Sequence, residues 1–523
     1  MMVSSTKMGG RAMKKSLKAV STVLCAALML SGCAGSRKII DSKPIESKIT
    51  EASEMTYKTV TNANPISPIV FCADPTAVEY EGRLYVYGTN DSQQRDGTAP
   101  GGKNSYEKIK SLVIFSTDDM VNWTYHGLIN VGEIAPWIYN SWAPSICSRV
   151  EGDGKTHFYL YFSNSGNGVG VLTATNPLGP WSDPLGKPLI YQNMPGLENC
   201  PAPFDPGVVI DENGDGYLSF GGGAPNDSTE VYSSIPKIVK LGDDMLSLDG
   251  KFVPINVPFF FEASELNYID GIYYYSYSTD WRNRGLWKER KMSAPPVCSM
   301  AYLTTKTPLD SESWEFRGGF FLNAGQGKSG ASGMRWTNNH THFFEYMGKD
   351  YILHHTNLLE ENRGEEGGFR SIMVDYLPVD KQTGEIPLSA ATREGVKQIK
   401  PFDPYKKTVG TTMFTSANIN FSDDEHPAAV SEKDGGWILI KSVDFKDCAG
   451  RLLGEVKGKG QLKIRLDDKS AEPSAALSFD CEEFTWVRSE EITDISGVHD
   501  VYILMTEGVE LRAWEFESGS EEE

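Results

Sequence analysis

The feature that most constrains this chain is a unit that recurs five times. Its copies are "DPTAVEYEGRLYVYGTND", "WAPSICSRVEGDGKTHFYLYFSNS", "FDPGVVIDENGDGYLSFGGG", "FEASELNYIDGIYYYSYSTD" and "NNHTHFFEYMGKDYILHHTN", opening at Asp74, Trp142, Phe204, Phe261 and Asn338. Each has a polar or acidic opening, an alternating strand, a turn and a second strand rich in aromatics. Further strand pieces broken by Gly, Pro or Asp lie between them, such as "LVIFSTDDMVNWTYHG" and "MAYLTTKTPLDSESWEFRG". About four strands per unit, at a spacing of ~60 residues, is the pattern of a propeller blade. The spacing predicts an all-β chain with a five-bladed β-propeller over residues 66–400.

In a propeller the innermost strand of each blade starts beside the central axis. Asp74 stands before a proline, and a lone Asp-Pro is ordinarily a turn. Asp205 and Glu262, however, open equivalent strands in other units, so the topology predicts that the three carboxylates meet in one pocket. Crowded carboxylates cannot all ionise alike, which separates an acid from a base. That is what cleavage of a glycosidic bond requires: one carboxyl protonates the leaving oxygen, an ionised one activates water, and a third orients them. Glu265 competes with Glu262, but strand alternation predicts that it faces the other way.

At these residues the sequence resembles glycoside hydrolase family 43: "ADPTAV", "NSWAPSI", "FDPGVVIDENGDGYLSFGGG", "FFEASELNYIDGIYYYSYS" and "GGFRSIMVDYL" occur in the family's order. The resemblance implies an inverting hydrolase of arabinosides or xylosides with Asp74 as general base, Asp205 as the tuning and orienting carboxylate and Glu262 as general acid. It also implies Trp142 as an aromatic wall of the sugar pocket and Arg370 as a contact to the sugar or to an acidic partner. His340 matches a histidine that family members place on the axis, often beside a bound calcium or a water cluster, so the resemblance makes His340 the candidate for a calcium near the axis, with a hydrogen-bonded core histidine as the alternative. The chemistry itself requires no cofactor. The form of the blade motifs, paired with a carbohydrate-module-like segment further on, resembles arabinoxylan-debranching members, which implies removal of α-L-arabinofuranosyl branches from arabinoxylan, with β-xylosidase or endo-arabinanase as alternatives. A non-catalytic glycan-binding lipoprotein is the alternative from another class.

Beyond residue 400 the aromatic hairpins give way to short alternating strands, "GWILIKSVDF", "GQLKIRLDD", "AALSFD" and "GVHDVYILMT". They predict a β-sandwich (jelly-roll) module over 405–517, followed by an acidic tail, 518–523. The order resembles carbohydrate-binding module family 6. Positions that carry acids for a calcium in that family read Val409, Thr411 and Ala513 here, so no calcium is expected in the module; Trp486 is the nearest candidate to stack on a sugar.

The amino-terminal stretch has a basic start (Lys14, Lys15, Lys18), an apolar run and "LSGC" ending at Cys33. It reads as an export signal over 1–32 and resembles the bacterial lipoprotein box, with residues 33–65 as a flexible tether. The expected location is therefore a bacterial cell surface, with the membrane reached only through the lipid. A formal charge of -20 argues against a nucleic-acid partner; the family resemblance implies plant cell-wall polysaccharide, arabinoxylan or arabinan, and its oligosaccharides as the partner, and a monomer is expected. Cys72, Cys147, Cys200, Cys298, Cys448 and Cys481 are too dispersed for a zinc or redox motif. Three other patterns are decoys. "DENGDG" (211–216) starts like a calcium loop but has Gly222 at position twelve; "GQGKS" has Leu322 where a phosphate loop needs glycine; the sequon at Asn122 is one by pattern only.

Overall fold

The computed structural model describes residues 37–43, 49, 54–223, 230–232, 234–279, 284–295, 298–325 and 333–519. The export signal, Cys33, most of "GQGKS" and the end of the acidic tail lie outside the described residues. Ile39–Glu523 is one compact unit.

Five sheets follow one another along the chain, antiparallel except where the short strand Ser389–Ala390 pairs parallel to the edge of the fourth. Their innermost strands are Ala73–Tyr80, Trp142–Val150, Gly207–Ile210, Phe260–Ile269 and Thr341–Tyr346. Each of these touches the next, and the fifth touches the first, so the ring is closed. Both faces of a blade are covered by neighbouring blades, which is why strands such as Ile272–Thr279 are buried throughout rather than at alternate positions. Separate apolar clusters fill the seams. Tyr87, Ile114, Phe158 and Leu160 join blades one and two; Tyr217, Ile238, Tyr275 and Leu303 join three and four; Val86, Phe115, Leu353 and Val374 join one and five. At about 1.5–3 kcal/mol for each large apolar side chain buried, these seams supply the main driving force for closing the ring.

The last seam is also stitched from upstream of the first blade. Asn64 Nδ2 donates to Val374 O at 3.0 Å and its Oδ1 accepts from Val374 N at 2.8 Å, while Ile66 N and Cys72 N donate to Ile372 O and Arg370 O. This differs from the expected tether over 33–65. Ile39–Asp41 also forms a parallel strand against Trp486–Arg488 of the carboxyl-terminal module, pinned by Arg488 Nη2 on Asp41 Oδ1 at 2.8 Å. Two consecutive isoleucines followed by an acid can pair with an open strand edge, and Ile40 packs on the module's core.

The module is one ten-stranded hydrogen-bonded sheet folded over its own core. The 18-residue strand Ala449–Leu466 joins its layers. The first part of this strand pairs with Glu510–Ser518 and the last part with Val498–Met505, and the strand bends at Gly458, where φ is +104°. The expected division near residue 400–405 does not separate two independent bodies. Thr412–Met413 leaves the module to pair with Trp123 and Thr124 as an outermost strand of blade one. Beside it, Asn122 mimics a strand residue: its Oδ1 accepts from Lys441 N at 2.9 Å and its Nδ2 donates to Lys441 O at 3.0 Å and to Asp119 Oδ2 at 2.6 Å. At 2% exposed, Asn122 is closed to glycan attachment. Of Cys72, Cys147, Cys200, Cys298, Cys448 and Cys481, all but Cys448 are buried.

Asn122→Ala strips both strand-like bonds to Lys441 and one partner from buried Asp119. Stability should fall by about 2–4 kcal/mol, read as a lower midpoint in chemical denaturation; an unchanged midpoint would mean that the clamp contributes nothing.

Candidate active site

The pocket is built by a device repeated around the ring. At the start of four innermost strands one residue adopts a left-handed backbone: Asp74 (φ 48°), Ala143 (φ 38°), Asp205 (φ 50°) and Ala263 (φ 60°). Pairing with the second strand slips beside them, between Ala73 and Thr76, Trp142 and Ser145, and Glu262 and Glu265. These are β-bulges, which re-aim side chains at strand ends; non-glycine residues at positive φ are strained and need support. The support comes from the preceding blade. His355 Nδ1 accepts from Asp74 N at 3.0 Å, Thr89 Oγ1 from Ala143 N at 2.8 Å and Ser163 Oγ from Asp205 N at 2.8 Å. In blade three the second strand ends in Phe220, which has no hydroxyl; there Asp205 Oδ2 itself accepts from Ala263 N at 2.8 Å.

These left-handed openings bring Asp74, Asp205 and Glu262 to the wall of one pocket, with Tyr106, Trp142, Ala143, Phe204, Ala263, Asn338, Asn339, His340 and Arg370. Trp142 and Arg370 therefore line the same pocket as the three carboxylates. Glu265 is elsewhere, but not for the reason alternation offered. The bulge adds a residue between it and Glu262, so both pair opposite residues two apart, Ser276 and Ser278, and project from the same face of the sheet. Glu265 is buried deeper, its Oε1 bonded to His342 Nδ1 at 3.0 Å and Ser145 Oγ at 3.4 Å.

Arg370 organises the electrostatics. Its Nε and Nη2 grip Asp91 at 2.9 and 2.8 Å, and its Nη1 lies 2.9 Å from Asp74 Oδ1. The Tyr106 ring covers the guanidinium at 4.9 Å. Burial alone would raise the Asp74 pKa, but Arg370, His355 and His340, with the Thr89 hydroxyl at 2.7 Å, bring it down to about 2. Glu262 goes the other way: burial, with Asp74 adding, pushes it up to about 7 against the bond from Asn338. Asp205 is pushed up by burial and then by the charges of Glu262 and Asp74. One pocket thus holds one carboxylate whose pKa is held down and two whose pKa values are pushed up, an arrangement suited to simultaneous proton donation and water activation.

His340 lines this pocket with Nδ1 3.7 Å from Asp74 Oδ1, and its pKa falls to about 4 through burial. The neighbouring carboxylate is already held by the Arg370 cation, so the donor set does not fit a calcium ion at His340. Among the described residues no group of three or more His, Cys, Asp or Glu is arranged to hold a metal. Trp486 corrects another expectation. It is 7% exposed and packs with Leu453 and Ala513, with Lys407 Nζ 5.5 Å from its ring centre, so it is a core side chain with no face open for stacking on a sugar.

Sequence reasoning missed Thr89, Asp91, Tyr106, Asn338 and His355. A signal existed for Thr89: the second strands of blades one and two end in "GTND" and "FSNS", repeating a small hydroxyl where the next blade's strained N–H needs an acceptor, a place taken in blade five by the imidazole of His355. Asp91, the last residue of the first copy, and Tyr106 sit in the connection after blade one's second strand, Arg83–Thr89.

A closed five-bladed propeller with a divided set of carboxylates at its axis is the framework of a glycan-cleaving hydrolase. Residues 62–376 match the model of "Glycosyl hydrolases family 43", and the chain belongs to that family. An arabinoxylan arabinofuranohydrolase of Bacillus subtilis is 32% identical over 478 residues, covering 86% of this chain and 90% of its own. One from Paenibacillus polymyxa is 30% identical over 488 residues, covering 87% of this chain and 74% of its own. The crystal structure of a family 43 arabinoxylan arabinofuranohydrolase from Bacillus subtilis in complex with cellotetraose superposes with a TM-score of 0.79 at 31% identity, covering 89% of this chain and 99% of that one.

Replacing Asp91 with Ala leaves the Arg370 guanidinium buried without its bidentate partner. The expected cost is about 3–5 kcal/mol of stability, seen in urea unfolding, together with loss of turnover; a fully stable, fully active variant would contradict the organising role given to Arg370.

Proposed function

We propose that this chain is an inverting hydrolase that removes α-L-arabinofuranosyl branches from arabinoxylan, with Glu262 as general acid, Asp74 as general base and Asp205 as the carboxyl that orients and tunes the acid. The observation that carries this reading is the opposite displacement of two carboxylates in one pocket, Asp74 to about 2 and Glu262 to about 7. A pair so divided holds both required protonation states across the range between those values. The branch sugar sits against Trp142 and Tyr106, while Glu262 protonates the leaving oxygen and Asp74 takes a proton from the attacking water. Arabinoxylan as the substrate follows from the two bacterial relatives, which align along most of this chain. The protein is exported, held at a bacterial surface by a lipid on Cys33, and acts as a monomer on neutral polysaccharide and its oligosaccharides. The buried Trp486 gives the carboxyl-terminal module no aromatic platform at that position, so we assign the module to supporting blade one.

The test is proton NMR of the first product from arabinoxylan. Arabinose of inverted anomeric configuration is expected; retained configuration would remove the base role from Asp74, and free xylose would overturn the branch assignment. The pH profile adds a second check. The acid must be protonated, so kcat/KM should decline as pH rises through about 7, with no acidic limb from Asp74 until pH nears about 2. Glu262→Gln should lower turnover of natural substrate by roughly 10²–10⁴-fold and abolish the upper limb.

A further inference from the structure

Four of the five blade openings contribute an acid or an aromatic wall to the pocket; the fifth contributes an amide, Asn338. Its orientation follows from the hydrogen bonds around it. His355 Nδ1 accepts the backbone N–H of Asp74 at 3.0 Å. A ring nitrogen that accepts carries no hydrogen, and the buried imidazole is kept neutral by desolvation and by Arg370, so Nε2 bears the proton. That Nε2 lies 3.0 Å from Asn338 Oδ1 and 3.2 Å from Asn338 O. Arg370 Nη1, a second obligate donor, lies 3.4 Å from the same Oδ1. A flipped amide would set its NH₂ against two donors, so the oxygen faces His355 and Arg370. The NH₂ must then face the other way, where Nδ2 lies 3.4 Å from Glu262 Oε1.

We infer that Asn338 is the positioning residue of the general acid: locked by His355 and Arg370, it donates to Glu262 Oε1 and so leaves the transferable proton to Oε2. The inference rests on the assignment of Glu262 as the acid. It also makes the two halves of the chemistry geometrically dependent. The histidine that supports the strained backbone of the base and the arginine that holds its carboxylate also set the amide that aligns the acid. The charged and titratable groups around Glu262 are Asp74, Asp205, Arg370, Tyr106 and His340. All five are common to wild type and the alanine variant, so the shift in Asn338→Ala reports the amide, whereas the aspartate also adds a carboxylate beside Glu262 that raises it further.

The experiment measures kcat/KM against pH for wild type, Asn338→Ala and Asn338→Asp on an arabinoxylo-oligosaccharide and on 4-nitrophenyl α-L-arabinofuranoside, whose leaving group needs little protonation. Thermal melting checks that each variant folds. The aspartate variant keeps oxygens for His355 and Arg370 but has no amide donor, so it separates donation to Glu262 from packing. Loss of a donor to the carboxylate favours its protonated form, so the alkaline limb should move to higher pH in both variants. Activity on the oligosaccharide should fall by roughly 10–100-fold, and on the nitrophenyl glycoside by no more than a few-fold. An unmoved limb, or equal losses on both substrates while Glu262→Gln is inactive on the oligosaccharide, would overturn the role of Asn338 alone. Full activity of Glu262→Gln on the oligosaccharide would overturn both this role and the acid assignment beneath it.

Discussion

The guanidinium of Arg370 is the interaction on which the rest of this site depends. A buried cation 2.9 Å from one carboxylate and gripped from behind by another, Asp91, fixes which acid in the pocket is ionised. Without it, Asp74, Asp205 and Glu262 would be three similar buried carboxyls, each pushed upward by desolvation. With it, Asp74 is held as an anion, and that anion helps keep the proton on Glu262. The separation of acid from base is thus a consequence of one charge placed asymmetrically among like groups.

That placement is possible because the backbone around the axis is strained in a regular way. Each left-handed residue at a blade opening turns its side chain toward the pocket and offers its N–H sideways to the neighbouring blade. The strain is therefore maintained by contacts between blades rather than within them: Thr89 supports blade two, Ser163 blade three, and His355 blade one. Closure of the ring and geometry of the site are the same physical event. A blade that shifted would release both a strained bulge and a carboxylate.

The carboxyl-terminal module belongs to this mechanical unit. It lends Thr412–Met413 to blade one, clamps Asn122, and stacks Phe421 on Tyr125 with ring centres 4.9 Å apart. Blade one carries Asp74, and the connection after its second strand carries Asp91 and Tyr106, so support delivered to its outer edge stiffens the element that holds the base and the anchor of Arg370. The strand Ile39–Asp41 adds to the module in the same manner, so that segments from both ends of the chain brace the propeller between them.

Much of this was legible in the linear chain, for an identifiable reason. A repeat of ~60 residues with four strands has few ways to bury its apolar faces, so the propeller, its five blades and the meeting of Asp74, Asp205 and Glu262 follow from periodicity. Alternation failed at Glu265 because a bulge adds a residue without any mark in composition, and Trp486 looked like a platform because burial of a tryptophan in a curled sheet depends on its partners, Leu453 and Ala513. Asp91, Asn338 and His355 lie within copies of the repeat at places where their residue types carry no mark, and their roles exist only through contacts made once the ring closes. Composition and periodicity therefore determined the architecture and which acids converge. Only the tertiary structure decided which acid is ionised, how the amide of Asn338 is turned and where the module grips, because those depend on angstrom-scale placement of charges and donors between blades.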